Sequence, residues 1–85
     1  MEKFEVEFRK SVEKDLRSIP RKDQVRIMLR ISELASEPRP ASCKQLSGQE
    51  RYRVRQGDYR ILYEINDGKL IVVVVKVGNR RDVYD

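Results

Sequence analysis

Phe4, Val6 and Phe8 alternate with Glu5, Glu7 and Arg9, the pattern of a half-buried strand. The spacing of apolar residues then lengthens. Val12, Leu16 and Ile19 recur at helical intervals, with Ser11 placed to cap the first turn. Pro20 interrupts. From about Arg21 to Ser36 the spacing predicts a second helix, with Ile27, Met28, Ile31, Leu34 and Ala35 as its apolar stripe and Val25 and Leu29 flanking it. Glu37-Pro38-Arg39-Pro40 ends this helix, because two prolines cannot continue it. A loop through Ser47-Gly48 follows.

From Arg51 onward the period is two. Arg51–Gln56 and Tyr59–Ile65 read as strands joined by a tight turn at Gly57-Asp58. Asp67-Gly68 is a type I′ hairpin signal and leads into a strand over Leu70–Val77. Leu70–Val75 is apolar on both faces, which places this strand inside the sheet, not at its edge. Gly78-Asn79 is expected to turn the chain. The order is β-α-α-β-β-β. This is an α+β fold, one small domain over residues 1–85, with a helical hairpin packed on one face of a mainly antiparallel four-stranded sheet.

Composition narrows what such a domain does. Of 85 residues, 39% are apolar and 39% charged, enough for one packed pair of layers but not for enclosing a large cofactor. The working surface should be open and shallow. A net charge of +5 favours a polyanionic partner. Leu70–Val75 is the longest apolar run and falls far short of the roughly 18 residues a membrane helix needs. The early acid in Met1-Glu2-Lys3-Phe4 argues against a secretory signal, and the single Cys43 excludes a disulfide scaffold. A cytoplasmic protein without membrane contact is the expectation. The chain has no histidine, which removes Ser/His/Asp and Cys/His hydrolases and most zinc sites. No metal and no cofactor is expected.

Pairing across Gly57-Asp58 sets the neighbours on the sheet. With Gln56 opposite Tyr59, Arg55 opposes Arg60, Arg53 opposes Leu62 and Arg51 opposes Glu64. Alternation then places Tyr52, Val54, Ile61 and Tyr63 on one face, and Arg51, Arg53, Arg55 and Arg60 on the other. Like charges directly opposed in a ladder cost a few tenths to about 1 kcal/mol. A face serving structure alone would pair them with carboxylates. Two planar guanidinium forks held side by side suit a bound phosphate. Val73 and Val75 fall on the same face; the C-terminal segment, a partner protein or a stacked base are equally open as their cover. Arg80, Arg81 and Tyr84 follow the last strand. Taken singly, the first two read as a solubilising tail and the third as a core plug. Arg21, Lys22, Arg26 and Arg30 on the second helix read foremost as a wet face.

The hairpin Tyr52-Arg53-Val54-Arg55-Gln56-Gly57-Asp58-Tyr59-Arg60-Ile61-Leu62-Tyr63-Glu64 resembles the RelE/ParE toxin superfamily, as does the ending Val77-Gly78-Asn79-Arg80-Arg81-Asp82-Val83-Tyr84. The resemblance covers essentially the whole chain. It implies a toxin of a type II toxin–antitoxin pair. In the RelE branch such toxins cleave messenger RNA in the ribosomal A site without metal; in the ParE branch they poison DNA gyrase. Carried across, it makes Arg53, Arg55, Arg60, Arg80 and Tyr84 the catalytic set, with Arg51 and Arg81 as further RNA-binding residues. All five catalytic positions hold apt side chains, which favours the nuclease over the gyrase inhibitor. Relatives often carry Lys where Arg53 and Arg55 stand, and Arg cannot be tuned for proton transfer as Lys can. The resemblance further implies three partners: a cognate acidic antitoxin, the ribosome and its message.

RNA cleavage without metal needs a deprotonated 2′-OH, in-line geometry, charge stabilisation on the phosphorane and a proton for the leaving oxygen. Arginines serve the third need and not the first, since guanidinium stays protonated. Tyr84 is the candidate base, and stacking on the substrate base is its alternative role. A plain RNA-binding module fits less well, because the tyrosines of the hairpin point away from the arginine face and leave no aromatic pair for bases.

Overall fold

The computed structural model describes residues 3–46 and 50–79. A short edge strand, β1 (Glu5–Phe8), leads into two helices, α1 (Lys10–Arg17) and α2 (Arg21–Ser36). Four strands follow: β2 (Lys44–Gln45), β3 (Arg51–Gln56), β4 (Tyr59–Asn66) and β5 (Ile71–Asn79). They form one five-stranded sheet in the order β1-β5-β4-β3-β2. Only the β1–β5 pair is parallel, with Glu5 opposite Ile71 and Phe8 opposite Val74. The fifth strand, β2, is an addition to the four expected. Its two polar residues carry no alternation to read, and it exists by pairing Lys44 with Arg53 and Gln45 with Tyr52.

Both helices lie on one face of the sheet. Val12, Ile19, Ile27, Ile31 and Leu34 interlock there with Tyr52, Val54, Ile61, Tyr63, Ile65, Val72, Val74 and Val77. The helix stripe is narrower than the sequence suggests: Met28 is 41% exposed and joins Val25 and Leu29 on the solvent side. Phe8, at the exposed edge, is likewise 39% accessible. Arg9, not Ser11, occupies the N-cap of α1, and it makes no side-chain capping bond. Gln24 fixes the helical hairpin by donating to the carbonyls of Leu16 (2.6 Å) and Ile19 (2.8 Å) where α1 ends. The Asp15 carboxylate accepts from the Val77 amide at 3.2 Å and so pins α1 to β5.

The Gly57-Asp58 turn has positive φ at its first residue only (Gly57, +59°), a conformation that glycine adopts without steric cost. The Asp67-Gly68 turn differs from expectation. Asn66 pairs with Ile71, so the loop has four residues, and its positive φ falls on Leu70 at 55° instead of on a glycine. Asn66 Oδ1 accepts from the Lys69 amide at 3.0 Å, an Asx-type turn that closes the loop in a different way. Gly78 and Asn79 do not turn the chain; they continue β5 opposite Arg60 and Tyr59. Among the described residues no helix is long and apolar enough to cross a membrane.

Candidate functional site

The face of the sheet away from the helices carries the site. Its register is the one the hairpin implies: Arg51 opposite Glu64, Arg53 opposite Leu62, Arg55 opposite Arg60 and Gln56 opposite Tyr59. The alternate residues Tyr52, Val54, Ile61 and Tyr63 are buried beneath the helices. They hold the backbone that aims the arginines outward. Tyr52 and Tyr63 stack with centroids 5.8 Å apart, and the Tyr63 hydroxyl donates to the Pro38 carbonyl at 2.7 Å. Burial, foremost, pushes the Tyr63 phenol well above its ordinary range. That group is structural and stays protonated.

The four arginines differ in depth. Arg55 is exposed, Arg51 and Arg60 are half-buried, and Arg53 is 8% exposed. Arg53 is the one charged residue in the buried class among the described residues. Charged side chains reach that depth when their surroundings engage them, so Arg53 belongs to the fabric of the face. On β2 its pairing partner is Lys44, another cation. The pairing of Arg60 with Gly78 puts no side chain beside it on β5.

A small apolar cluster sits among these cations. Leu62 and Val75 pack with Leu46, and Val73 lies against them. The register between β4 and β5 shifts at Leu62/Tyr63, from Leu62 opposite Lys76 to Tyr63 opposite Val74. Val75 is the extra residue of this bulge, which lets Val74 and Val77 both face the core while Val75 joins Leu62. Leu46, held by its amide to the Arg51 carbonyl at 2.8 Å, is the described residue that covers the two valines.

Two residues that sequence reasoning passed over belong to this face. Lys44 is brought in by β2. Arg9, at the β1–α1 junction, reaches Glu64 at 3.4 Å, while Arg51 holds the same carboxylate at 2.9 Å. Partners 55 positions apart leave no signal in local spacing. Arg30, by contrast, is half-buried: it donates to Ser42 Oγ at 2.6 Å and lies 3.6 Å from Glu33. Arg80, Arg81 and Tyr84, assigned to the site from the sequence, lie outside the described residues. Among the described residues no three of His, Cys, Asp or Glu gather as a metal site would require. Beyond Glu64 and Val73 the face opens into a cleft of about 680 Å³, whose walls include Gln45, Glu50 and Asn66.

A family model described as the ParE toxin of the type II toxin–antitoxin system parDE matches residues 6–84. The chain is 33% identical to a protein of Methanocaldococcus jannaschii described as putative toxin RelE1, over 96% of both chains. Among solved structures, it resembles a chain of the toxin–antitoxin complex RelBE2 of Mycobacterium tuberculosis, with a TM-score of 0.85, 28% identity and coverage of 96% of this chain and 97% of that one. It also resembles a chain of the archaeal RelE–RelB complex of Pyrococcus horikoshii, with a TM-score of 0.84, 29% identity and coverage of 95% and 99%.

Proposed function

Since the chain belongs to the ParE toxin family of type II toxin–antitoxin systems and has RelE toxins as relatives, we propose that it is a ribosome-dependent endoribonuclease that cleaves messenger RNA in the ribosomal A site and so arrests translation. The observation that carries this reading is Arg55 set directly opposite Arg60, with Arg53 sunk beside them. Two planar guanidinium forks set side by side match the oxygens of one bound phosphate.

In the proposed reaction the 2′-oxygen attacks the adjacent phosphorus, its proton is removed, and the bond to the 5′-oxygen breaks as that oxygen takes up a proton. Arg53, Arg55 and Arg60 are fixed cations aimed at the charge that grows on the equatorial oxygens. They hold no removable proton at neutral pH. Tyr84 is the proposed base and Arg80 the further catalytic cation, while Arg51 and Arg81 bind flanking RNA. The chain has no histidine, so a large share of the rate must come from substrate geometry. The ribosome supplies it by holding the message in line. A cognate acidic antitoxin would neutralise the arginine face.

Arg60→Ala should lower cleavage on programmed ribosomes by at least about 100-fold, the worth of one transition-state donor. Its melting temperature should hold, so that the loss is read on a folded protein. Tyr84→Phe should cost roughly 10²–10⁴-fold in single-turnover cleavage if Tyr84 is the base. Normal cleavage by Arg60→Ala would remove the arginine pair from the chemistry. The match to a ParE family model keeps a second reading in view, the gyrase inhibitor that resemblance to the ParE branch implies. Loss of DNA supercoiling in vitro with translation untouched would establish that one instead.

A further inference from the structure

Glu64 stands in the arginine face with two guanidiniums on one carboxylate. Arg51 Nη2 donates to Oε2 at 2.9 Å, and Arg9 Nη2 reaches Oε1 at 3.4 Å. The three side chains span the sheet from β3 across β4 and over β5 to the start of α1. Arg9 is brought there by its own backbone, whose amide donates to the Val74 carbonyl at 3.1 Å. Its side chain is 54% exposed and that of Glu64 is 36% exposed. The contact to Glu64 is long and engages one of the five donors of the Arg9 guanidinium. As an ion pair alone, an exposed contact of this kind adds little stability.

Position gives the trio a different meaning. Glu64 and Arg51 lie four residues along their strands from Arg60 and Arg55, about 13 Å at the rise of a β-strand. RNA held at the Arg55–Arg60 pair and running along the hairpin would therefore bring the next phosphate but one over Arg51 and Arg9. The cleft beside Glu64 and Val73 has room for the attached nucleoside; its wall carries the amides of Gln45 and Asn66, the Glu50 carboxylate, and Asp67 neutralised by Arg39. We propose that Arg9 and Arg51 form a second phosphate site for single-stranded message RNA, and that Glu64 holds the place of the phosphate, engaging both guanidiniums until it arrives. This rests on the nuclease reading above.

The two assignments have opposite signs, which an ordinary salt bridge does not. Binding of the full-length protein is measured against salt concentration, on ribosomes carrying a 2′-O-methylated message that cannot be cleaved and on vacant ribosomes. Arg9→Gln should weaken binding to programmed ribosomes and lower the log–log salt slope by about 0.7–0.9, the worth of one phosphate contact. Glu64→Gln should tighten binding, since it removes the anion that competes with phosphate. Equal weakening by both variants, or an unchanged slope for Arg9→Gln, would overturn the second site and leave the arginine pair in place. The same slope change on vacant ribosomes would assign Arg9 to ribosomal RNA and also overturn it. A wild-type protein that binds programmed and vacant ribosomes alike would undo the nuclease reading along with it.

Discussion

Arg39 shows how one side chain can join segments with no common pattern. It forms a two-pronged bridge to Asp67, at 3.0 and 2.8 Å, and donates from Nε to the Tyr52 hydroxyl at 3.1 Å. Its guanidinium carbon also lies over the Tyr52 ring, 5.3 Å from the centroid. The hydrogen bonds from Arg39 hold the Asp67 carboxyl below its ordinary range. The Asp67 hydrogen bond, and then that to Tyr52, raise Arg39 further above its own. The sign follows directly. A depressed carboxylate adds stability above its unfolded pKa, and that stability is lost as the pH falls through the folded value. Asp67→Asn should therefore melt a few degrees below the wild type at pH 7, with the gap closing below about pH 4. Identical melting at pH 7 would show the bridge to be idle. Neither Arg39 nor Arg9 was readable in advance, because each finds its partner across the fold, 28 and 55 positions away.

At the scale of elements, alternation was a sound guide wherever an element buries one face. The β3–β4 register follows residue for residue from Tyr52, Val54, Ile61 and Tyr63 needing one side of the sheet. Alternation fails where pairing or a loop decides. Lys44-Gln45 is a strand because of its neighbour, the bulge at Val75 shifts a register that an even period cannot show, and Asn66 closes the last loop where Asp67-Gly68 was expected to. Helix α2 buries a narrower stripe than its spacing predicts, since Met28 turns outward with the flanking Val25 and Leu29. Val25, Met28 and Leu29 stay 50%, 41% and 61% exposed, and Arg21 and Arg26 lie exposed near them. An apolar strip with a basic margin suits an acidic amphipathic helix, the expected character of an antitoxin segment. Leu29→Glu should shift stability by no more than about 0.5 kcal/mol, as exposed substitutions do. It should also weaken a complex with a cognate antitoxin by about tenfold or more in calorimetry. Undiminished affinity would place the antitoxin elsewhere.

The whole molecule divides into a helical side and a cationic side. That division was legible because the arginines alternate with the residues that fill the core. The closure of the sheet was not: an alternating strand such as β1 says which face is buried but not which strand lies next to it. The answer is β5, the last strand described, paired in parallel with the first. Val72, Val74 and Val77 of β5 are each 0–1% exposed and complete the core between α1 and β4. A chain ending at Asn66 keeps both helices and the β3–β4 hairpin, yet it should show no cooperative melting transition. A sharp transition would mean that β5 is dispensable. The same topology sets a clock on synthesis. Contacts between the first and last strands form only when the last has left the ribosome, and a two-stranded hairpin is marginal until then. The half-made chain therefore has no assembled cationic surface to present until synthesis is nearly complete.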